Sequence, residues 1–249
     1  MTKTEFESQA VDWLNQAFYR KTKKLTPFLS PKEQQELLKF SKRYDGLVIS
    51  LNGGFIGAER CRALICPYGD SIEGWEYEIE GFQVSYPKKF AELEHRQLLG
   101  ALMALQIQRS RIGDIFIDEE QNAFLAVCGE VSDFVQQNLT SAGSSKVSLD
   151  AATIQKIARQ EKLDRKEILV SSMRLDVILA GLLGFSRSQA SEYLKEGLVQ
   201  VNHEQEKNHS RNLQEGDVLS IKKYGRCRLL EVVRQTKSGR LVVAIGKYV

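Results

Sequence analysis

Histidine, cysteine and proline are scarce in this chain, at three, four and four of 249 residues. Cys61, Cys66, Cys128 and Cys227 form no Cys-x-x-Cys pair, and the few histidines offer little help in building a metal site. The cysteines read as reduced, buried thiols, and no metal is expected. No apolar run approaches the ~20 residues that a membrane-spanning helix needs. The run Leu98 to Leu105, for example, has eight. The start, MTKTEFESQAVDWLNQ, carries acids where a secretory signal has a basic and then an apolar region. A cytoplasmic protein without membrane contact is expected. Glycine-rich phosphate cradles are missing too. The loop Asn52-Gly53-Gly54 lacks the Gly-Lys-Ser/Thr of a P-loop, and Gly53, Gly54 and Gly57 do not follow Gly-x-Gly-x-x-Gly spacing. With no Ser/His/Asp or Cys/His set either, the residues suggest neither a cofactor nor a catalytic centre.

What is present is an ordinary folded composition, 42% hydrophobic and 27% charged, in a chain long enough for two or three domains. Net charge is only +3, but it is unevenly spread. From Arg174 to Val249 there are thirteen Lys and Arg against eight Asp and Glu, or +5; residues 1 to 173 have 22 against 24, or −2. The basic excess lies at the C-terminal end.

Apolar residues at helical spacing (Phe6, Ala10, Trp13, Leu14, Ala17, Phe18) predict a helix over Glu5 to Lys24. Ser30, Pro31 and Glu33 supply an N-cap, a first-turn proline and a capping-box acid for a second helix reaching about Tyr44. Gly46 to Leu51, Arg62 to Cys66 and Trp75 to Tyr86 read as strands. Phe90 to Arg109 reads as a helix, Gly113 to Asp118 and Ala123 to Cys128 as strands, and Val131 to Leu139 as a helix. Thr140 to Ser148 is the most linker-like stretch, although its Val and Lys also suit an edge strand. One more helix and the strand Ile168 to Ser171 are expected within residues 150 to 172. The fold class is α+β and multidomain: two N-terminal α/β units, residues 1–75 and 76–165, and a C-terminal domain, residues 172–249.

That last domain carries the clearest pattern. Arg174 opens the helix RLDVILAGLLG, with Leu175, Ile178, Leu179 and Leu182 on one stripe and Gly184 placed to end it. Ser186 can cap a second helix, SRSQASEYLKEG, which Gly197 stops. Arg187 then falls in the first turn, where a cation opposes the helix dipole and makes best sense beside a phosphate. Leu198 to His203 reads as a strand entering a tight turn, and Gly216 to Ile221 as a turn and partner strand.

Together, RLD…SRSQASEYLKEGLVQVN…LQEGDVLSI resembles the S4 domain, a small RNA-binding module with an αL motif, over some 50 to 60 residues. Upstream HRQLLGALMALQIQRSRIGDIFI and downstream KKYGRCRLLEVVRQTKSGR extend the resemblance to the bacterial YlmH family. Gln97 departs from the acid expected there, and Gln106 from the expected glycine. The resemblance implies that Arg174, Ser186 and Arg187 face the RNA backbone, that Asn202 and His203 lie on the hairpin edge beside them, and that Lys195, Lys222, Lys223, Arg226 and Arg228 widen the basic face. It also implies a second RNA-binding domain in the middle segment, where His95, Arg96, Arg109 and Arg111 are candidates at one end. For His95, packing or a capping bond competes with base stacking. Asp176 reads as structural, pairing with Arg174 or a nearby amide.

The implied function is a monomeric, non-catalytic binder of structured RNA (rRNA, tRNA or both) on the large ribosomal subunit, in ribosome rescue or quality control. Two alternatives stand beside it. One is an RNA-modifying or RNA-charging enzyme that uses S4 for targeting, though S4-first architectures and HIGH-like or KMSKS-like motifs are not seen. The other is an interaction protein in cell division, drawn from the family's association with division genes.

Overall fold

Phe6, Ala10, Trp13, Leu14 and Ala17 are all buried, and their helical spacing makes Lys3–Arg20 helix α1 of the computed structural model, which describes residues 3–89, 91–157 and 163–248. The helix is shorter than expected. Lys21 turns the chain with φ +52°, and Lys24–Leu29 is strand β1, which Pro27 disguised in the sequence. The strand accommodates that proline with an irregular register between Leu25 and Phe28. Helix α2 (Pro31–Ser41) starts at the expected capping box: the Glu33 carboxylate accepts from Ser30 N at 2.7 Å, and Ser30 Oγ accepts from Glu33 N at 3.4 Å. Such a cap is worth about 1 kcal/mol. Strands β2 (Leu47–Asn52) and β3 (Cys61–Pro67) complete an antiparallel sheet in the order β1-β3-β2.

The expected strand from Trp75 is a single 3-10 turn, Gly74–Tyr77, and β4 (Ile79–Ser85) follows the left-handed Glu78 (φ +47°). Helix α3 spans His95–Ala104, within the longer expected run, whose Phe90 lies outside the described residues. Gln106 explains its own departure from the family pattern. It stands at φ +61° just past the helix, a left-handed position that glycine adopts without strain. Gln97 takes the acid's place without difficulty, because its Oε1 accepts from Glu94 N at 2.9 Å as a capping-box Glu would.

Strands β5 (Ile112–Ile117) and β6 (Ala123–Cys128) and helix α4 (Gly129–Asn138) follow. The linker-like stretch is instead structured. β7 (Ser141–Ala142) and β8 (Ser145–Lys146) form a small hairpin, and β9 (Ser148–Ala151) pairs with β4, because Ala142, Val147 and Leu149 reach the core of this layer. The expected helix after residue 150 is not found where the chain is described. Single-turn Ile154–Lys156 and strand β10 (Leu163–Val170) occupy that stretch, and residues 158–162 lie outside the description. The second sheet runs β5-β6-β4-β9.

Residues 1–160 form one compact unit and 161–249 another. In the first, β3 and β6 are buried on both faces, which is why CRALIC and AFLAVC read as continuous apolar runs. One face of β6, Leu125 and Val127, packs under α3 and α4; the other, Ala126 and Cys128, meets Phe28, Phe55 and Ile154. Phe28 brings β1 onto that second sheet at Gly113, where a methyl group would stand 2.7 Å from its ring. Polar contacts tighten the same seam. Arg60 donates to the carbonyls of Ile112, Phe28 and Arg109 at 3.0 to 3.3 Å, and the buried Asp114 accepts from Glu59 N and Arg60 N. Buried Arg62 donates to Thr26, Tyr77 and Glu78 carbonyls at 2.8 to 2.9 Å.

In the second unit, helices α5 (Leu175–Leu183) and α6 (Arg187–Lys195) cover one face of a six-stranded antiparallel sheet, β10-β15-β14-β13-β11-β12. Its remaining strands are β11 (Val199–Val201), β12 (Glu204–Gln205), β13 (Val218–Ile221), β14 (Gly225–Gln235) and β15 (Leu241–Tyr248). Gly184 ends α5 at φ +70°, and Gly197 follows α6 at φ +71°, as expected. All four cysteines are buried and free. Burial pushes the Cys227 thiol up to about 12 and Cys61 to about 11.

Two stability tests follow from these placements. Gly113→Ala is expected to cost about 1 to 3 kcal/mol in urea unfolding, because the Phe28 ring must shift; an unchanged midpoint would mean the seam is loose. Gln106→Gly is expected to stabilise by about 0.5 to 1 kcal/mol, read as a rise in melting temperature, by releasing a left-handed non-glycine residue.

Candidate nucleic-acid interface

The first turn of α5 is where charge is organised. Arg174 is the N-cap and Asp176 the second helical residue, so their side chains lie together; the Asp176 carboxylate accepts from Arg174 Nε at 3.0 Å and Nη2 at 3.1 Å. Its Oδ2 also accepts from Arg187 Nη2, in the first turn of α6, at 2.9 Å. Asp176 is 3% exposed. Burial alone would raise its pKa, but the hydrogen bonds and charges of the two guanidiniums outweigh burial and hold it at about 2. The arginines keep their outer edges in solvent, with side-chain exposures of 35% for Arg174 and 61% for Arg187. One buried anion therefore holds two partly exposed guanidinium forks side by side, a geometry suited to adjacent phosphate oxygens.

This partly revises the reading of Arg187. Its place against the dipole of α6 is offset by Asp176 as well as being open to a phosphate. Ser186 caps α6 itself, accepting from Gln189 N at 3.3 Å, while Gln189 Oε1 accepts from Ser186 N at 2.9 Å. The amides of Leu175 and Asp176 donate to the carbonyls of Arg211 and His209 at 2.8 and 3.2 Å. That loop was missed. EKNHSRN (206–212) has no periodicity to mark it, yet it lays Arg211 and His209 across the start of α5, with Arg211 held by Glu206 at 2.8 Å.

Asn202 and His203 form a two-residue turn between β11 and β12 with φ +50° and +68°, the primed geometry that a hairpin prefers, despite lacking Asn-Gly. The Asn202 side chain is engaged there. It donates to Asp217 at 2.7 Å and accepts from Val218 N at 2.9 Å, so its role in the turn is structural.

The other expected cations of this domain, Lys195, Lys222, Lys223, Arg226 and Arg228, lie away from the Arg174 and Arg187 pair. Lys222 and Lys223 sit in the turn joining β13 to β14, and Lys195, at the far end of α6, is about 12 Å along the helix from Arg187. Arg226 and Arg228 lie on the sheet face opposite the helices, since the alternate residues Cys227 and Leu229 face the core. Both arginines stack over Tyr248, at 4.5 and 5.8 Å, and Lys247 lies over Tyr224 at 4.6 Å. A shallow groove of about 460 Å³ opens there, lined in part by Gln200, Ser220, Lys222 and Arg226.

The structure does not gather the four middle candidates at one place. Exposed Arg96 pairs with Glu94 at 2.6 Å and borders a groove along α3 that begins beside His95. Arg109 and Arg111 border a different cavity, together with Arg60 and Ser30. The Arg109 guanidinium donates to the carbonyls of Ile112 and Gly113 at 2.6 and 3.2 Å, and burial lowers its pKa to about 10. Arg111 pairs with Glu130. Among the described residues, no group of three or more His, Cys, Asp or Glu could hold a metal ion, and no helix is long and apolar enough to cross a membrane.

Comparison with known proteins fits this anatomy segment by segment. Residues 2–68 match the family described as "YlmH, N-terminal", residues 73–156 match "Putative RNA-binding domain in YlmH", and residues 173–219 match the S4 domain. A Bacillus subtilis (strain 168) relative, "Ribosome-associated protein quality control protein P2", is 35% identical over 236 residues, or 94% of this chain and 91% of that protein. The chain belongs to the YlmH family. A solved structure, "Cell division protein ylmH from Streptococcus pneumoniae", is 29% identical, covers 60% of this chain and 90% of its own, and superposes with a TM-score of 0.52. The multidomain α+β architecture with a C-terminal S4 domain is thus the YlmH one.

The ion-pair cluster makes a pH prediction. The Asp176 pKa is depressed in the folded state, so its contribution, about 2 kcal/mol, is present above the unfolded value near pH 4 and is lost as pH falls toward 2. Asp176→Asn is expected to remove most of that at neutral pH and to flatten the acid limb of a stability profile by urea unfolding. A variant whose acid limb matches the parent chain would discard the cluster as the source.

Proposed function

We propose that this YlmH-family protein binds structured RNA without catalysing a reaction on it, in the cytoplasm, as a monomer on the large ribosomal subunit during ribosome quality control. The observation that carries the reading is the pair of guanidiniums, Arg174 and Arg187, gripped by one buried carboxylate. A rigid double fork matches two phosphate oxygens of a backbone, and backbone recognition is how a small module engages A-form RNA, whose deep groove side chains cannot enter. The name of the Bacillus subtilis relative, a ribosome-associated protein quality control protein, supports the ribosome as host. The basic excess in the same domain supplies long-range attraction.

Arg174, Ser186 and Arg187 form the proposed contact of the helix pair. Lys195, Lys222, Lys223, Arg226 and Arg228 extend it around the sheet, and His203 sits at its hairpin edge. In the middle segment Arg96 and His95 are the accessible candidates, whereas Arg109 serves the packing of β5.

Arg187→Gln should lower co-sedimentation with purified large ribosomal subunits by tenfold or more, about 1.4 kcal/mol, at moderate salt. Binding by the parent chain should fall steeply as salt rises. Retention of full binding by a folded Arg187→Gln protein would exclude the guanidinium pair as the contact.

A further inference from the structure

The S4 match ends at residue 219, but the sheet does not, and two long strands, β14 of 11 residues and β15 of 8, lie beyond that point. From Val232 to Tyr248 the sequence has four cations, Arg234, Lys237, Arg240 and Lys247, and no acid. Three of the four cluster at the tip of the β14–β15 hairpin, where Arg234, Lys237 and Arg240 are all exposed. The last acid before the tip, Glu231, is answered by Arg165 of β10 at 2.9 Å.

The tip is built rather than loose. Thr236 N donates to Arg240 O at 2.7 Å, Gly239 N to Thr236 O at 2.9 Å, and Arg240 N to Thr236 Oγ1 at 3.1 Å. Gln235 Nε2 donates to Gly239 O at 3.2 Å. No residue of this turn belongs to the domain's core cluster, so its order serves no buried surface. β13 pairs with β14 only as far as Arg228, and the distal part of β14 extends past it for some seven residues, about 20 Å.

Register places this tip beside the helix pair. Leu241, next to Arg240, pairs with Val170, the last residue of β10. Arg174 follows Val170 by four residues, a reach of at most about 14 Å. The hairpin tip and the Arg174–Asp176–Arg187 cluster therefore occupy the same end of the domain. Prongs spaced in this way suit phosphates on one bound RNA better than two separate ligands.

We propose that the β14–β15 hairpin tip, through Arg234, Lys237 and Arg240, is a second phosphate-binding prong of the RNA interface, added to the S4 module beside its helix-borne guanidinium pair. The proposal rests on the RNA-binding reading above. It is tested with the full chain carrying Arg234→Gln, Lys237→Gln and Arg240→Gln, by co-sedimentation with purified bacterial large ribosomal subunits across a KCl series. A control carries the same charge change on exposed cations of the first unit, Arg20→Gln, Lys32→Gln and Lys42→Gln.

The hairpin variant is expected to keep its melting temperature, to lose at least about tenfold in affinity at low salt, and to show a slope of log affinity against log salt shallower by about 2, each lost contact removing roughly 0.7 to 0.9. The control should follow the parent chain. A hairpin variant that tracks the parent while Arg187→Gln loses binding would overturn the prong and leave the RNA reading standing. Equal losses in the control would also overturn it, by showing that only net charge matters. A parent chain with no affinity for the subunits at any salt would overturn both readings.

Discussion

A carboxylate shut away from water must be answered by positive charge, and at Asp176 the answer comes from both helices of the S4 module. That requirement ties the start of α6 to the start of α5, while the loop carrying His209 and Arg211 satisfies the amides of α5 from the other side. Apolar side chains of similar volume could hold the helices together as well, so an ion cluster is weak evidence for stability alone. Its distinctive product is orientation. Two long, flexible cations are fixed with their outer edges in solvent, and the entropy of ordering them is lost on folding rather than on binding.

The first compact unit depends on a different constraint, the crowding of β1, an edge strand of the first sheet, against the second sheet. Phe28 can reach the second sheet only because position 113 has no side chain, and Arg60 and Arg62 reach carbonyls across the same seam. These arginines are fastened to backbone on both sides of a joint. Arg109 is fastened to backbone as well, at Ile112 and Gly113 of its own segment, so a basic residue in a region matched to an RNA-binding family can still serve packing.

Much of the last domain could be read from residues because its signals are local. Ser186 with Gln189, Gly184 after α5, and the Leu175, Ile178, Leu179 and Leu182 stripe each act within one or two turns of chain. What escaped depends on contacts distant in sequence. β1 was hidden by Pro27 and is held by pairing with β3; the hairpin of residues 141–146 looked like a linker because its small polar residues gain order from the core beneath. Asp176 was legible as a structural partner of Arg174, but the third member of the cluster, eleven residues on, appears only when α6 folds back. The loop at 206–212 carried no periodic signal at all. Gln106 is instructive in the opposite sense, since its mismatch with a family glycine pointed to a backbone twist that the fold then displays.

The buried thiols have a consequence for how this protein meets oxidants. A thiol must ionise to react, and burial places Cys61 and Cys227 several decades from appreciable thiolate at neutral pH. Each compact unit thus carries its own internal reporter: Cys61 in the first and Cys227 in the second. An alkylating reagent would reach either sulfur chiefly while the surrounding layer is open, so the rate of modification at each position becomes a clock for the breathing of that unit alone.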